Sequence, residues 1–179
     1  MAYHDRLGIE DGGNEARIRE TPASEPLRIR RYEPSDKRAV RLLHDDALNE
    51  VGAHLGSGPW DEDLDDVQAV YLESGGEFLV GVLDREIVAM GALKRISPEA
   101  AEVKRMRVRP GFQGSGYGQT LLDALHDRAA ELGYSRLRLD TTVQQRAARH
   151  LYIKNGYREA GRGRIGPFDC VFYERHAVA

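Results

Sequence analysis

The sequence predicts a mixed α/β fold: one sheet, antiparallel in its first half and completed by a βαβ crossover in its second. Three observations predict it. Two apolar runs, Phe78 to Leu83 and Ile87 to Leu93, are separated only by Asp84-Arg85-Glu86, which makes a tight antiparallel hairpin. A third alternating run, Ala101 to Arg109, feeds through a glycine-rich turn into a helical stretch that ends before Gly133. Strand-like and helix-like segments then alternate, as a crossover to a parallel strand requires.

Taken in order, Leu27 to Tyr32 alternates apolar and basic residues and reads as a strand, stopped by Pro34. Ser35 is the expected N-cap of a helix with Val40, Leu43, Ala47 and Val51 on one stripe. Gly52, Gly56, Gly58 and Pro59 form a loop. A short second helix is expected next, with Asp61, Glu62, Asp63, Asp65 and Asp66 at its positive N-terminal end and Ser74-Gly75-Gly76 after it. In the run Ala101 to Arg109, strict alternation puts Glu102, Lys104, Met106 and Val108 on one face. The helix from Gly116 to Leu132 buries Leu121, Leu122, Leu125, Ala129 and Leu132, with Gly133 as its C-cap. Leu137 to Thr141 is a strand, and Gln144 to Lys154 is a helix with Ala147, Ala148, Leu151 and Tyr152 inward. Tyr157 to Arg162 and Cys170 to Glu174 are the last strands. The order gives a central mixed sheet of six to seven strands flanked by about four helices.

At 179 residues and 20.0 kDa the chain has room for one domain. A net charge of −3, a sequence pI near 6.1 and 7% aromatic residues argue against nucleic-acid binding. Residues 1–26 hold three basic residues and six acids, which account for all of that net charge. The same segment has few large aliphatics, so it reads as a flexible tail and leaves 27–179 as the domain. Its scattered acids do not suit a signal peptide, and no run of about 18 apolar residues predicts a membrane span. A cytoplasmic protein is expected. Cys170, alone of its type, excludes an internal disulfide and a cysteine-rich metal site, and no metal is expected.

The chemistry is concentrated in Val103 to Gly118, with Gln113-Gly114-Ser115-Gly116-Tyr117-Gly118 at its heart. This stretch follows a strand and opens a helix. Glycines let the backbone approach a ligand, and N–H groups at a helix N-terminus make an anion site suited to a pyrophosphate. A P-loop needs Gly-Lys-Ser/Thr, but here Gly118 is followed by Gln119-Thr120. A dinucleotide fingerprint needs its third glycine at position 119, which is Gln119, although Asp140 has the spacing of a ribose partner.

The Gln-Gly-Ser-Gly-Tyr-Gly loop resembles the Gln/Arg-x-x-Gly-x-Gly/Ala loop of the GNAT superfamily of N-acetyltransferases. The run Glu102-Val103-Lys104-Arg105-Met106-Arg107-Val108 is similar to that family's fourth strand. Ala148-Arg149-His150-Leu151-Tyr152-Ile153-Lys154-Asn155-Gly156-Tyr157 resembles its A-x-x-L-Y-x-x-x-G-F/Y segment. The three pieces keep the family's order, and the resemblance covers about residues 27–175. It implies the acyl-CoA N-acyltransferase fold, with acetyl-CoA as cosubstrate in a V-shaped opening between the fourth and fifth strands. Backbone at Met106, Arg107 and Val108 would line the pantetheine, and Gln113, Gly114, Ser115, Gly116, Tyr117 and Gly118 would hold the pyrophosphate. Gln145, where the family often has asparagine, and Ala148 would complete the cofactor side.

The implied reaction is direct attack of an amine on the thioester, with Glu102 as base and Tyr152 as acid and cofactor contact. A structural carboxylate paired with Lys104 or Arg105, and a core tyrosine, are the plain alternatives for these two residues. The acceptor would enter over Asn49 to Asp66 and Gly161 to Asp169. Glu50, His54, Trp60 and the acidic cluster favour a cationic amine, whereas Arg162 and Arg164 favour a carboxylate. The acceptor is therefore left as a small-molecule or peptide/protein amine, with a homodimer as a possible assembly. A non-catalytic acyl-CoA-binding module on the same fold is the competing reading. Cys170 and the histidines are read as structural.

Overall fold

A computed structural model of the chain describes residues 26–50 and 59–176. Apart from Pro26, the tail read over residues 1–26 lies outside this range, as does His54. One seven-stranded sheet runs through the described residues. Its strands are β1 Arg28–Arg31, β2 Glu77–Leu83, β3 Glu86–Arg95, β4 Ala100–Val108, β5 Arg136–Thr142, β6 Arg158–Ile165 and β7 Phe168–His176. The spatial order is β1-β2-β3-β4-β5-β7-β6, with only the β4–β5 pair parallel. The hairpin between β2 and β3 turns on Asp84 (φ 47°) and Arg85 (φ 68°) alone, since Leu83 already pairs with Glu86. Two successive positive φ values are the type I′ geometry that matches strand twist.

Among the described residues, three α-helices cover the sheet: α1 Lys37–Glu50, α2 Tyr117–Glu131 and α3 Arg146–Lys154. Leu121, Leu122, Leu125 and Ala129 of α2 pack with Ala89, Leu93, Val103, Leu139 and Tyr152 on one face. On the other face, Val40 and Leu43 of α1 pack with Tyr71, Phe78, Met90 and Ala92. Ala147, expected inward, is exposed, while Tyr152 is buried.

Two local expectations are corrected. Ser35 is not an N-cap. It lies inside a 3₁₀ turn, Pro34–Asp36, and the buried Asp36 carboxylate accepts from the Glu33 N–H (2.9 Å) and from Arg30. The expected second helix is instead a 3₁₀ segment, Pro59–Leu64, followed by a π turn, Gln68–Leu72. Its acids are drawn inward by a strand arginine, as described below, which a solvated α-helical first turn would not permit.

Candidate active site

The strand β4 carries an irregularity that decides where its side chains go. Ala92 pairs with Lys104 and Met90 with Arg107, so Gly91 alone faces both Arg105 and Met106. The extra residue is a β-bulge, and Arg105 adopts φ 57° to accommodate it. Alternation is reset there. Glu102, Lys104 and Arg107 share the α1 face, while Met106 and Val108 join the α2 and α3 core. Glu102 and Met106 therefore face opposite sides, which corrects the period-two expectation. Gly91 leaves the room for this: a Cβ there would meet Met106 Sδ at 2.8 Å and Leu125 at 2.9 Å.

Already before the bulge, β4 leaves its parallel neighbour. Pairing with β5 covers only Ala100↔Arg136, Ala101↔Leu137 and Glu102↔Arg138, after which β5 follows β7 as far as Thr142↔Cys170. The two strands open into a V. The Arg109 N–H bonds the Val88 carbonyl (2.8 Å), so by alternation Met106 and Val108 turn their N–H and C=O groups toward the opening. Side chains meet those carbonyls: Arg107 Nη1 donates to Met106 O (2.8 Å) and Gln113 Nε2 to Val108 O (3.4 Å).

The glycine loop closes one end of the V. Gly111, Gly114 and Gly116 have φ values of 88°, 79° and 84°, a region that side-chain-bearing residues rarely enter. Gly116 is the N-cap of α2, and the first backbone bond into the helix is Thr120 N–H to Gly116 O (3.0 Å). Among the described residues, no acceptor takes the backbone N–H groups from Gln113 to Gln119. These donors stand at the positive end of α2. Ser115 is exposed, and Tyr117 stacks on Phe112 with 6.3 Å between centroids. Gly118 faces Leu151 and Val108, where a Cβ would make ordinary contacts at 3.6 and 3.9 Å.

Tyr152 of α3 is only 6% exposed and packs with Met106 and Val108. Its hydroxyl has no hydrogen-bond partner among the described residues. Burial pushes it up to about 12, with the Arg107 guanidinium pulling down and Asp140 pushing up. Ala148 is half-buried beside this cluster. Gln145 is the residue before α3, and its amide oxygen accepts from Thr141 Oγ1 at 2.5 Å. Glu102 is half-buried with Lys104 Nζ at 3.6 Å.

Among the described residues, those expected on the acceptor side are not gathered into one cluster. Glu50, at the end of α1, accepts from Gln113 Nε2 (2.6 Å) and so joins the glycine loop. The side chain of Trp60 lies outside the described residues. Arg164 is exposed beside Asp169 (3.4 Å), and Arg162 is paired with Glu159. The acidic cluster is neither a solvated helix turn nor a free cation trap. Arg105 donates to Asp61 (2.8 Å) and with two nitrogens to Asp63, and Tyr71 donates to Asp63 as well. The fully buried His44 shares Asp61 at 3.0 Å and is pushed down to about 4 by burial and by Arg107 and Arg105. Cys170 is buried, and burial pushes its thiol up, which suits a structural residue.

The sequence reading missed three contributors. Arg105 is the anchor of the acids, Asn155 braces the loop helix through Gln119, and Arg107 brings its side chain as well as its backbone. Among the described residues no group of three or more His, Cys, Asp or Glu could hold a metal, and no helix is long and apolar enough to cross a membrane.

Residues 39–157 match the model of the acetyltransferase (GNAT) family. Over 93 residues, 51% of the chain, the sequence is 40% identical to an IAA acetyltransferase of Azospirillum brasilense, and the match spans 59% of that relative's length. An acetyltransferase of the GNAT family from Staphylococcus aureus Mu50 superposes with a TM-score of 0.78 at 25% identity, covering 84% of this chain and 99% of that one. The PaiA N-acetyltransferase from Thermoplasma acidophilum, solved in complex with coenzyme A, shares the fold with a TM-score of 0.70 at 19% identity, covering 86% and 100%. With its V-shaped opening and glycine loop in this setting, the chain belongs to the acetyltransferase (GNAT) family and is an acyltransferase.

Proposed function

We propose that the chain transfers an acetyl group from acetyl-CoA to a primary amine of a small molecule or peptide/protein, by direct attack of the amine. The observation that carries the reading is the V between β4 and β5, with unused backbone donors at its glycine-loop end. The residues present fit the cosubstrate. N–H groups from Gln113 to Gly118 suit its pyrophosphate, and the turned-out backbone of Met106 and Val108 suits its amide-bearing arm. A solved structure of the same fold from Thermoplasma acidophilum is a complex with coenzyme A, which supports the assignment.

Acetyl-CoA, when bound, supplies an activated acetyl carbonyl and a thiolate leaving group. The chain handles the protons. An amine with a pKa of about 10.4 must lose one before it attacks, and Glu102 is the base in this reading, directly or through water. As the carbon–nitrogen bond forms and the carbon–sulfur bond breaks, the Tyr152 hydroxyl gives its proton to the sulfur. A phenol at about 12 always carries that proton at working pH. It surrenders it only through a short hydrogen bond and recovers one from the amine side. The Met106 N–H is the donor offered to the carbonyl oxygen.

Thermal denaturation with acetyl-CoA, CoA and NAD(H) side by side tests the ligand. A 100-fold excess over Kd adds roughly 2.7 kcal/mol to the native state. Stabilisation by acetyl-CoA and CoA alone is expected. Stabilisation by NAD(H) alone, or by none of them, overturns the reading. Glu102→Gln should lower kcat about 10²-fold or more and leave KM for acetyl-CoA little altered. An unchanged kcat would assign the base to another group.

A further inference from the structure

Arg107 and Arg105 are near neighbours on β4 with opposite circumstances. Arg105 is matched by two carboxylates, Asp61 and Asp63. Among the described residues, Arg107 has none within ion-pair distance. Its Nη1 donates to the carbonyl of adjacent Met106 at 2.8 Å, and its Nε is buried without a partner. An under-compensated guanidinium of this kind is unfavourable unless a ligand completes it.

Its position says what kind of ligand. The last β4–β5 pair is Glu102↔Arg138, so Arg107 stands where the strands have parted. Asp140 lies past the same pair on β5 and, by alternation, on the same sheet face as Arg107. The Asp140 carboxylate has no hydrogen bond or ion pair among the described residues. The two groups are close enough to act on each other and on the Tyr152 hydroxyl, with opposite sign, yet they do not pair. A fixed cation and a fixed anion beside the candidate acid match a molecule that carries both charges. Asp61 and Asp63, the carboxylates that could draw a polycation, are already held by Arg105.

We propose that Arg107 binds the carboxylate of the acceptor while Asp140 faces its ammonium group, so that the acceptor is a free amino acid. The proposal rests on the acyl-transfer reading above. A polyamine or an aminoglycoside would bring further cations toward Arg107, and a peptide N-terminus has no carboxylate at the required distance.

The test is thiol release from acetyl-CoA by the full chain, with amines in matched pairs: phenylalanine and phenethylamine, leucine and isoamylamine, lysine and cadaverine. For the best pair, kcat/KM of the amino acid should exceed that of its decarboxylated partner by roughly 10- to 100-fold, the range of a charge-assisted contact. Arg107→Gln should bring that ratio close to unity. Equal or reversed preference in the wild-type chain overturns the proposal, as does a ratio that survives in Arg107→Gln. Should that variant fail to fold, the wild-type ratios decide alone. Stabilisation by acetyl-CoA with turnover of only polyamines, peptides or no amine refutes this proposal and leaves the ligand assignment standing. Absence of both stabilisation and thiol release refutes the underlying reading.

Discussion

Gln119 at the start of α2 and Asn155 just beyond α3 exchange two hydrogen bonds, Nε2 to Oδ1 at 2.8 Å and Nδ2 to Oε1 at 2.9 Å. Asn155 Nδ2 also donates to the Leu151 carbonyl (2.8 Å), which ties the pair to the helix bearing Tyr152. The helix that ends the glycine loop and the helix that carries the candidate acid are thus clamped to each other. Asn155→Ala should lower stability by about 1–2 kcal/mol, since it leaves the half-buried Gln119 amide oxygen without its donor, while Gln119 Nε2 keeps Asp123. It should also raise KM for acetyl-CoA more than it lowers kcat. Thermal melts and steady-state kinetics check both. A fall in kcat alone would mean that the clamp serves Tyr152 and not the loop.

Tyr152→Phe removes a hydroxyl without a hydrogen-bond partner from a tight apolar setting. Stability should be unchanged or slightly higher, because no hydrogen bond is lost. Turnover should fall about 10²- to 10⁴-fold, the usual contribution of a positioned acid, with KM for acetyl-CoA little altered. Retention of wild-type kcat would make Tyr152 a core residue only.

Arg105 holds Asp61 and Asp63 in a largely buried knot, with its own side chain 9% exposed. Arg105→Met leaves two buried carboxylates without a counter-charge. A loss of about 3–5 kcal/mol is expected. Adding Asp61→Asn and Asp63→Asn should recover part of it, because the variants share one network. Chemical denaturation of the single and triple variants measures the coupling. Additive effects would show that the knot is not a unit.

Acid should weaken the fold before carboxylate pairs begin to break. An unfolded histidine takes its proton near pH 6.5, whereas burial holds His44 down to about 4. Between these values the unfolded state binds more protons, so stability that is complete above about pH 6.5 is lost as the pH falls toward 4. His126, also near 4 through burial, adds to the same slope. For His44 the limit is on the order of 3 kcal/mol. His44→Gln should flatten the melting temperature against pH across that window. A slope equal to the wild type would place the acid sensitivity elsewhere.

The strands, the hairpin turn and the glycine-loop helix were legible in the sequence because each is written in local spacing. Asp84-Arg85 between apolar runs, and Gly133 after an apolar stripe, are signals that tertiary packing did not override. The bulge at Arg105 was not legible. Period-two reading assumes uniform alternation, and nothing in Lys104-Arg105-Met106 marks an inserted residue. That one residue moved Glu102 away from Met106 and aimed Arg105 and Arg107 at the α1 side. The acidic run failed for a related reason. Its composition suits a helix N-terminus, but a guanidinium contributed from 42 residues further along the chain decides where Asp63 points. The loop, Tyr152 and Ala148 were named through motif resemblance, and the structure places them around one opening, whereas the Gln119–Asn155 clamp leaves no local trace.

Product formation tests acyl transfer most directly. Acetyl-CoA and an amine panel should yield free thiol and N-acetylated amine in equal amounts with the wild-type chain, and far less of both with Tyr152→Phe. Thiol release without an acetylated amine, or equal yields from the two proteins, would contradict it.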